Sequence, residues 1–141
     1  MNRTSRSAAA VLVAASMTFG LGACALNPDE AAERVDSALN TTYEVTYEVT
    51  GSNIDSITYN AGGGGGVNPK LETVDKPTLP WSKTVTLKGV EAPLVTPVAA
   101  GIRDVKATCK ITHEGKVLKE MSGEGKAAAL SCVAVSPVAD E

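Results

Sequence analysis

An all-β sandwich is predicted by three observations. Several short segments alternate apolar and polar residues with a period of two, turn residues recur between them at regular intervals, and no long segment carries a convincing helical period. The clearest alternation sets Tyr43, Val45, Tyr47 and Val49 against Glu44, Thr46, Glu48 and Thr50. It predicts a half-buried strand from Thr42, ended by Gly51-Ser52-Asn53. Ser56-Ile57-Thr58-Tyr59 predicts a second, shorter strand, paired with the first as a hairpin.

Asn60-Ala61 then leads into five glycines, Gly62 to Gly66, and Val67-Asn68-Pro69. A phosphate loop would end in Gly-Lys-Ser/Thr and open a helix whose first amides face the anion, and neither feature follows here. The composition instead predicts a flexible loop at the tip of a β-domain. Glycines also lack β-propensity, so such a loop does not template edge-to-edge pairing.

Leu79-Pro80-Trp81-Ser82 precedes a strand from Lys83 to Lys88, where Thr84, Thr86 and Lys88 alternate with Val85 and Leu87. Val90 to Ala100 is apolar but contains Pro93 and Pro97, which confines it to an edge or an irregular stretch. Asp104 to His113 alternates again, with Val105, Ala107, Cys109 and Ile111 on one face. Glu114-Gly115 turns the chain into Lys116-Val117-Leu118, and Ser122-Gly123-Glu124-Gly125 turns it into a last strand over Ala127 to Val135. In that last strand Leu130, Cys132 and Ala134 share a face.

The N-terminus carries a different signal. Arg3 and Arg6 precede an apolar run from Ala8 to Gly22, then Leu21-Gly22-Ala23-Cys24. Basic, then apolar, then small residues is the order of an export signal. A cysteine directly after Leu-Gly-Ala matches the lipobox of bacterial lipoproteins. That resemblance implies a diacylglyceryl group on Cys24, cleavage after Ala23, and a mature chain held on the extracytoplasmic face of the cell membrane. The apolar run is shorter than the roughly 20 residues a spanning helix needs, and two acyl chains suffice for stable anchoring. The chain then divides into a signal peptide (1–23), a lipidated tether (24–41) and one β-domain (42–141). Within the tether, Asp29 is a candidate helix cap and Ala32, Val35 and Leu39 form a thin apolar stripe.

Once Cys24 is assigned to the lipid, Cys109 and Cys132 remain. An even pair in an exported chain predicts a disulfide, and closing a loop of about 24 residues contributes around 3 kcal/mol. A meander would put Lys116 to Met121 between the two cysteine strands, too far apart to bridge within one sheet. The bridge therefore favours strands that switch sheets, as in immunoglobulin-like sandwiches.

Composition excludes several functions. Without Arg3 and Arg6 the mature chain carries 11 basic and 16 acidic side chains, which argues against nucleic acid and against electrostatic attraction to anionic headgroups. A single histidine, His113, cannot build a multi-histidine metal site, and no Gly-x-Ser-x-Gly elbow accompanies it. Glu44 and Glu48 read as solvated face residues rather than an acid and base. The sequence therefore predicts neither catalysis nor a cofactor nor a bound metal.

An ordered set of segments resembles the mycobacterial membrane protein small (MmpS) family. They are Tyr47-Glu48-Val49-Thr50-Gly51, Ile57-Thr58-Tyr59, Leu79-Pro80-Trp81, and Cys109 with Cys132 around Gly115-Lys116-Val117. The resemblance spans roughly residues 42–135. It implies an immunoglobulin-like β-sandwich outside the cytoplasmic membrane that assists an MmpL-type exporter of lipids or siderophores. Members of the family usually carry an N-terminal transmembrane helix where this chain has a lipobox.

Two functional expectations follow. The first is an accessory domain that binds such an exporter through exposed apolar residues. The candidates are Trp81, which reads first as a core plug in a domain poor in aromatics, and Leu94, Val95 and Val98, with Ile102 beside them. The alternative is a lipoprotein that itself carries an amphiphile, which needs an apolar cavity between the sheets.

Overall fold

The computed structural model describes residues 27–99, 104–126 and 130–140. One helix, α1 (Pro28–Asn40), leads into eight strands: β1 (Thr42–Ser52), β2 (Ser56–Asn60), β3 (Leu71–Asp75), β4 (Trp81–Lys88), β5 (Leu94–Val98), β6 (Asp104–His113), β7 (Lys116–Lys126) and β8 (Cys132–Val133). The strands form two antiparallel sheets, ordered β4-β1-β6-β7 and β3-β2-β5-β8.

The two sheets pack face to face as a β-sandwich. The inward rows are the ones the alternation predicts: Tyr43, Val45, Tyr47 and Val49 on β1, and Val105, Ala107, Cys109 and Ile111 on β6. They meet Ile57, Tyr59, Val95 and Cys132 from the other sheet in one apolar core. Each fully buried aliphatic side chain there contributes roughly 1.5–3 kcal/mol relative to exposure. The Tyr47 and Tyr59 rings lie 5.9 Å apart, and Trp81 lies 5.3 Å from Tyr59. Cys109 of β6 is bonded to Cys132 of β8, so the disulfide ties one sheet to the other.

The expected hairpin of the first two strands does not form. β1 pairs with β4 and β6, while β2 lies in the opposite sheet. Gly51-Ser52-Asn53 is a corner between sheets rather than a hairpin turn, and Asn53 within it adopts φ 60°. The segment with two prolines is irregular at Pro93, as expected, but its second half is a strand and not an edge. β5 sits between β2 and β8, with Pro97 opposite Ile57. The β5–β8 ladder spans only Leu94↔Val133 and Val95↔Cys132, so by Pro97 it has ended and the missing N–H is not needed.

Ser122-Gly123-Glu124-Gly125 continues β7 instead of turning, paired with β6 as far as Asp104↔Lys126. The last strand is only Cys132–Val133, and residues 127–129 of the predicted strand lie outside the described residues. β3, with its alternation blurred by three exposed leading residues, has no clear signal in the sequence. α1 starts one residue before Asp29: Pro28 takes the first turn, Asn27 makes no side-chain cap bond, and Asp29 and Glu30 sit near the positive end of the helix dipole.

Candidate functional site

The end of the sandwich that adjoins α1 is built around one carboxylate. Glu91 follows the β4 strand by three residues and is 1% exposed. Its Oε1 accepts the backbone N–H groups of Gly64 (2.9 Å) and Gly65 (2.7 Å), and its Oε2 those of Lys88 (2.7 Å) and Gly63 (3.5 Å). Burial alone would raise its pKa, but the donors from Gly65, Lys88, Gly63 and Gly64 together outweigh it and hold the carboxyl below its ordinary value.

The same turn collects three other parts of the chain. The Gly89 N–H donates to the Thr41 carbonyl (2.8 Å) at the end of α1, and the Ser136 hydroxyl donates to the Gly89 carbonyl (2.6 Å). The Tyr43 hydroxyl donates to the Glu91 carbonyl oxygen. Deeper in, the Tyr47 hydroxyl donates to the Asn60 carbonyl (3.0 Å), and the Asn60 side chain bridges the Ala92 carbonyl and the Gly62 N–H, both at 3.0 Å. Burial, the main cause, raises the pKa of both Tyr43 and Tyr47, so their hydroxyls stay protonated donors.

The polyglycine run is therefore a pinned loop whose amides surround an anion supplied by the chain itself. Glu91 is absent from the residues the sequence singles out. Its signal was available: a lone acid inside the apolar stretch from Val90 to Ala100. A hollow of about 270 Å³ lies beside it, walled by Leu39, Gly63, Gly65, Gly66, Lys88 and Val90.

The predicted partner-binding residues separate onto different surfaces. Trp81 begins β4 and is partly buried against Tyr59, at the opposite end of that strand from Lys88. Val95 is 0% exposed and belongs to the core, which removes it from any docking surface, because alternation in β5 sends its neighbours the other way. Leu94 and Val98 face outward on β5. Leu94 stands opposite Val133, and Val98 and Val133 are exposed. Hydroxyl pairs Thr58–Thr73 (3.0 Å) and Thr96–Ser131 (2.9 Å) continue that outer face. Ile102 and the lipidation candidate Cys24 lie outside the described residues.

On the outer face of the other sheet, Glu48 pairs with Lys110 at 3.0 Å, an exposed ion pair that raises the lysine's pKa. His113 Nδ1 lies 2.7 Å from the Glu44 carbonyl oxygen and the ring packs edge-on against Tyr43. His113, Glu44 and Glu114, with Thr42, Thr46, Thr84, Thr86 and Thr112, border an open groove of about 810 Å³. Among the described residues no helix is long and apolar enough to cross a membrane.

No curated protein matches the chain. A family model described as Mycobacterium membrane protein matches residues 7–137, which takes in every strand of the sandwich and most of the segment before it. The resemblance carried by the tyrosine strand, the Leu79-Pro80-Trp81 segment and the two bridged cysteines is thereby established over nearly the whole chain. The protein belongs to the mycobacterial membrane protein small (MmpS) family.

Proposed function

We propose that this membrane-associated accessory protein is held by a lipid on Cys24 at the extracytoplasmic face of the cell membrane, where it docks on an MmpL-type exporter of lipids or siderophores. Family membership carries the docking on an exporter, and the Leu21-Gly22-Ala23-Cys24 segment carries the lipid anchor. The outward residues of β5 and β8 support it: Leu94 stands beside exposed Val133, and exposed Val98 follows on the same face beyond the Thr96–Ser131 pair. An accessory role also suits an interior filled by Tyr47, Ile57, Leu87, Val95 and Ile111, whereas a carrier needs that space for its cargo.

Crosslinking in native membranes, followed by affinity capture and mass spectrometry, tests the docking. A polytopic transporter recovered with the wild type, and lost with Val98→Asp or Val133→Asp in a variant of unchanged melting temperature, is the expected result. Recovery of an amphiphile without a transporter would replace this reading with the carrier. The same spectra report whether the mature chain begins at an acylated Cys24.

A further inference from the structure

α1 presents an apolar stripe that the sandwich covers only in part. At about 100° per residue, Ala31, Ala32, Val35, Ala38 and Leu39 share one side of the helix, with Asp29, Glu30, Glu33 and Asp36 on the other. No residue of α1 is buried, and Val35 and Leu39 are 60% and 46% exposed. A helix with so little apolar contact is marginal at this length, so the stripe calls for a partner.

The stripe runs into the Glu91 end of the domain. Leu39 walls the same hollow as Val90, which is itself exposed, and a side-chain carbon on Gly66 would stand 2.5 Å from Val90 Cγ2. Val67, next in the chain, is 91% exposed, more than any other large apolar residue described. Two charges border the hollow: Lys88 is free to face outward, while the Glu91 carboxylate is buried and satisfied by backbone donors.

Chain length brings this end close to the membrane. Pro28 follows Cys24 by four residues, which reach at most about 14 Å, and α1 adds about 20 Å. The apolar run Ala8 to Gly22 ends just before this, so with either mode of attachment α1 would start within that reach of the membrane.

We propose that this end of the molecule is an interfacial membrane-contact surface: the α1 stripe with Val35 and Leu39, together with Val90 and the loop tip at Val67, rests on the outer leaflet. The proposal rests on the membrane-anchored reading above and adds that the domain lies on the bilayer in one orientation, instead of swinging on a tether. Attachment at this face is apolar, since the opposite side of α1 is acidic, and it does not depend on salt.

The lone tryptophan supplies the test. Trp81 sits at the far end of β4 from Lys88, so it reports the side facing away. Full-length protein isolated from membranes is reconstituted into vesicles of brominated phosphatidylcholine, as wild type and as Val67→Trp and Val35→Trp variants that also carry Trp81→Phe. Bromine is expected to quench the tryptophans at positions 67 and 35 by about two-fold or more and to leave Trp81 unquenched, in low and high salt alike. Both sites are exposed, so either variant serves if the other fails to fold. Vesicle flotation without quenching at 67 and 35, or with quenching at Trp81, overturns the contact and leaves the anchor standing. Protein that carries no lipid and does not float overturns both.

Discussion

The backbone N–H of Gly65 meets a carboxylate oxygen of Glu91 across 2.7 Å, linking the middle of a glycine run to a turn 26 residues further along the chain. That bond and its three companions give the loop a fixed seat. They explain how a segment without side chains can be ordered: its donors are satisfied by one acceptor group, and the acceptor's charge is satisfied by the donors.

Removing that acceptor is expected to cost stability well beyond a surface change. Glu91→Ala leaves Gly64, Gly65 and Lys88 amides without their partner and should lower the unfolding free energy by about 2–4 kcal/mol, read from urea denaturation. Glu91→Gln keeps an oxygen but turns an NH₂ toward N–H donors, so it should fall between the two. A Glu91→Ala protein as stable as wild type would show that the seat contributes nothing net.

The same carboxylate shapes the acid limb of stability. Its pKa is depressed in the fold, so the folded state binds the proton less readily than the unfolded chain, whose glutamates titrate near about 4.3. The stabilisation is present above that unfolded value and is lost as pH falls through the lower folded value. Melting temperatures measured from neutral pH to about pH 2.5 should therefore drop less in Glu91→Gln than in wild type, relative to each protein's value at pH 7. Parallel curves would remove Glu91 from the acid response.

The glycines of the seat are not interchangeable. A side-chain carbon on Gly64 would lie 2.1 Å from the Asn68 carbonyl oxygen, so Gly64→Ala must displace backbone. Gly65 faces open space but adopts φ +86°, and Gly65→Ala should cost about 1–2 kcal/mol from that conformation alone. Gly64→Ala is expected to be the more damaging of the two in the same urea titration.

Reducing the bridge between the sheets should also be felt. Cys109 and Cys132 are 23 positions apart, and loss of that crosslink, by reductant or by Cys109→Ser with Cys132→Ser, is expected to cost about 3 kcal/mol. Because β8 is held to β5 by only two paired positions, amide exchange should rise first around Cys132–Val133.

Period-two patterning made β1, β4 and β6 legible, because each buries one face and exposes the other. Pairing was not legible in the same way. Alternation says which side of Tyr47 is buried but not which strand lies beside it, so the neighbours β1 and β2 were read as partners when a corner separates them. Pro97 misled for a related reason: its cost depends on whether a strand stands opposite its nitrogen, which is a property of β8 and not of the segment itself. The two cysteines carried the long-range information, since a bridge between inward-facing positions requires two sheets. A lone acid in the apolar stretch from Val90 hints that Glu91 is buried, but its donors are backbone amides, which every sequence has, so its seat is not legible. The outward residues Leu94 and Val98 could be picked out by composition, but separating them from Val95 needed the register of β5.

A tract of one repeated residue is the sort of segment whose length drifts during replication and is usually free to do so, since one more or one fewer unit changes little. Here the run is a measuring stick. Between Asn60, whose side chain holds Gly62, and Val90, which packs on Gly66, only a fixed count of residues brings Gly64 and Gly65 into line with the carboxylate. Inserting or deleting a single glycine should therefore destabilise the domain about as much as Glu91→Ala does, which would place the repeat under selection for number as well as for composition.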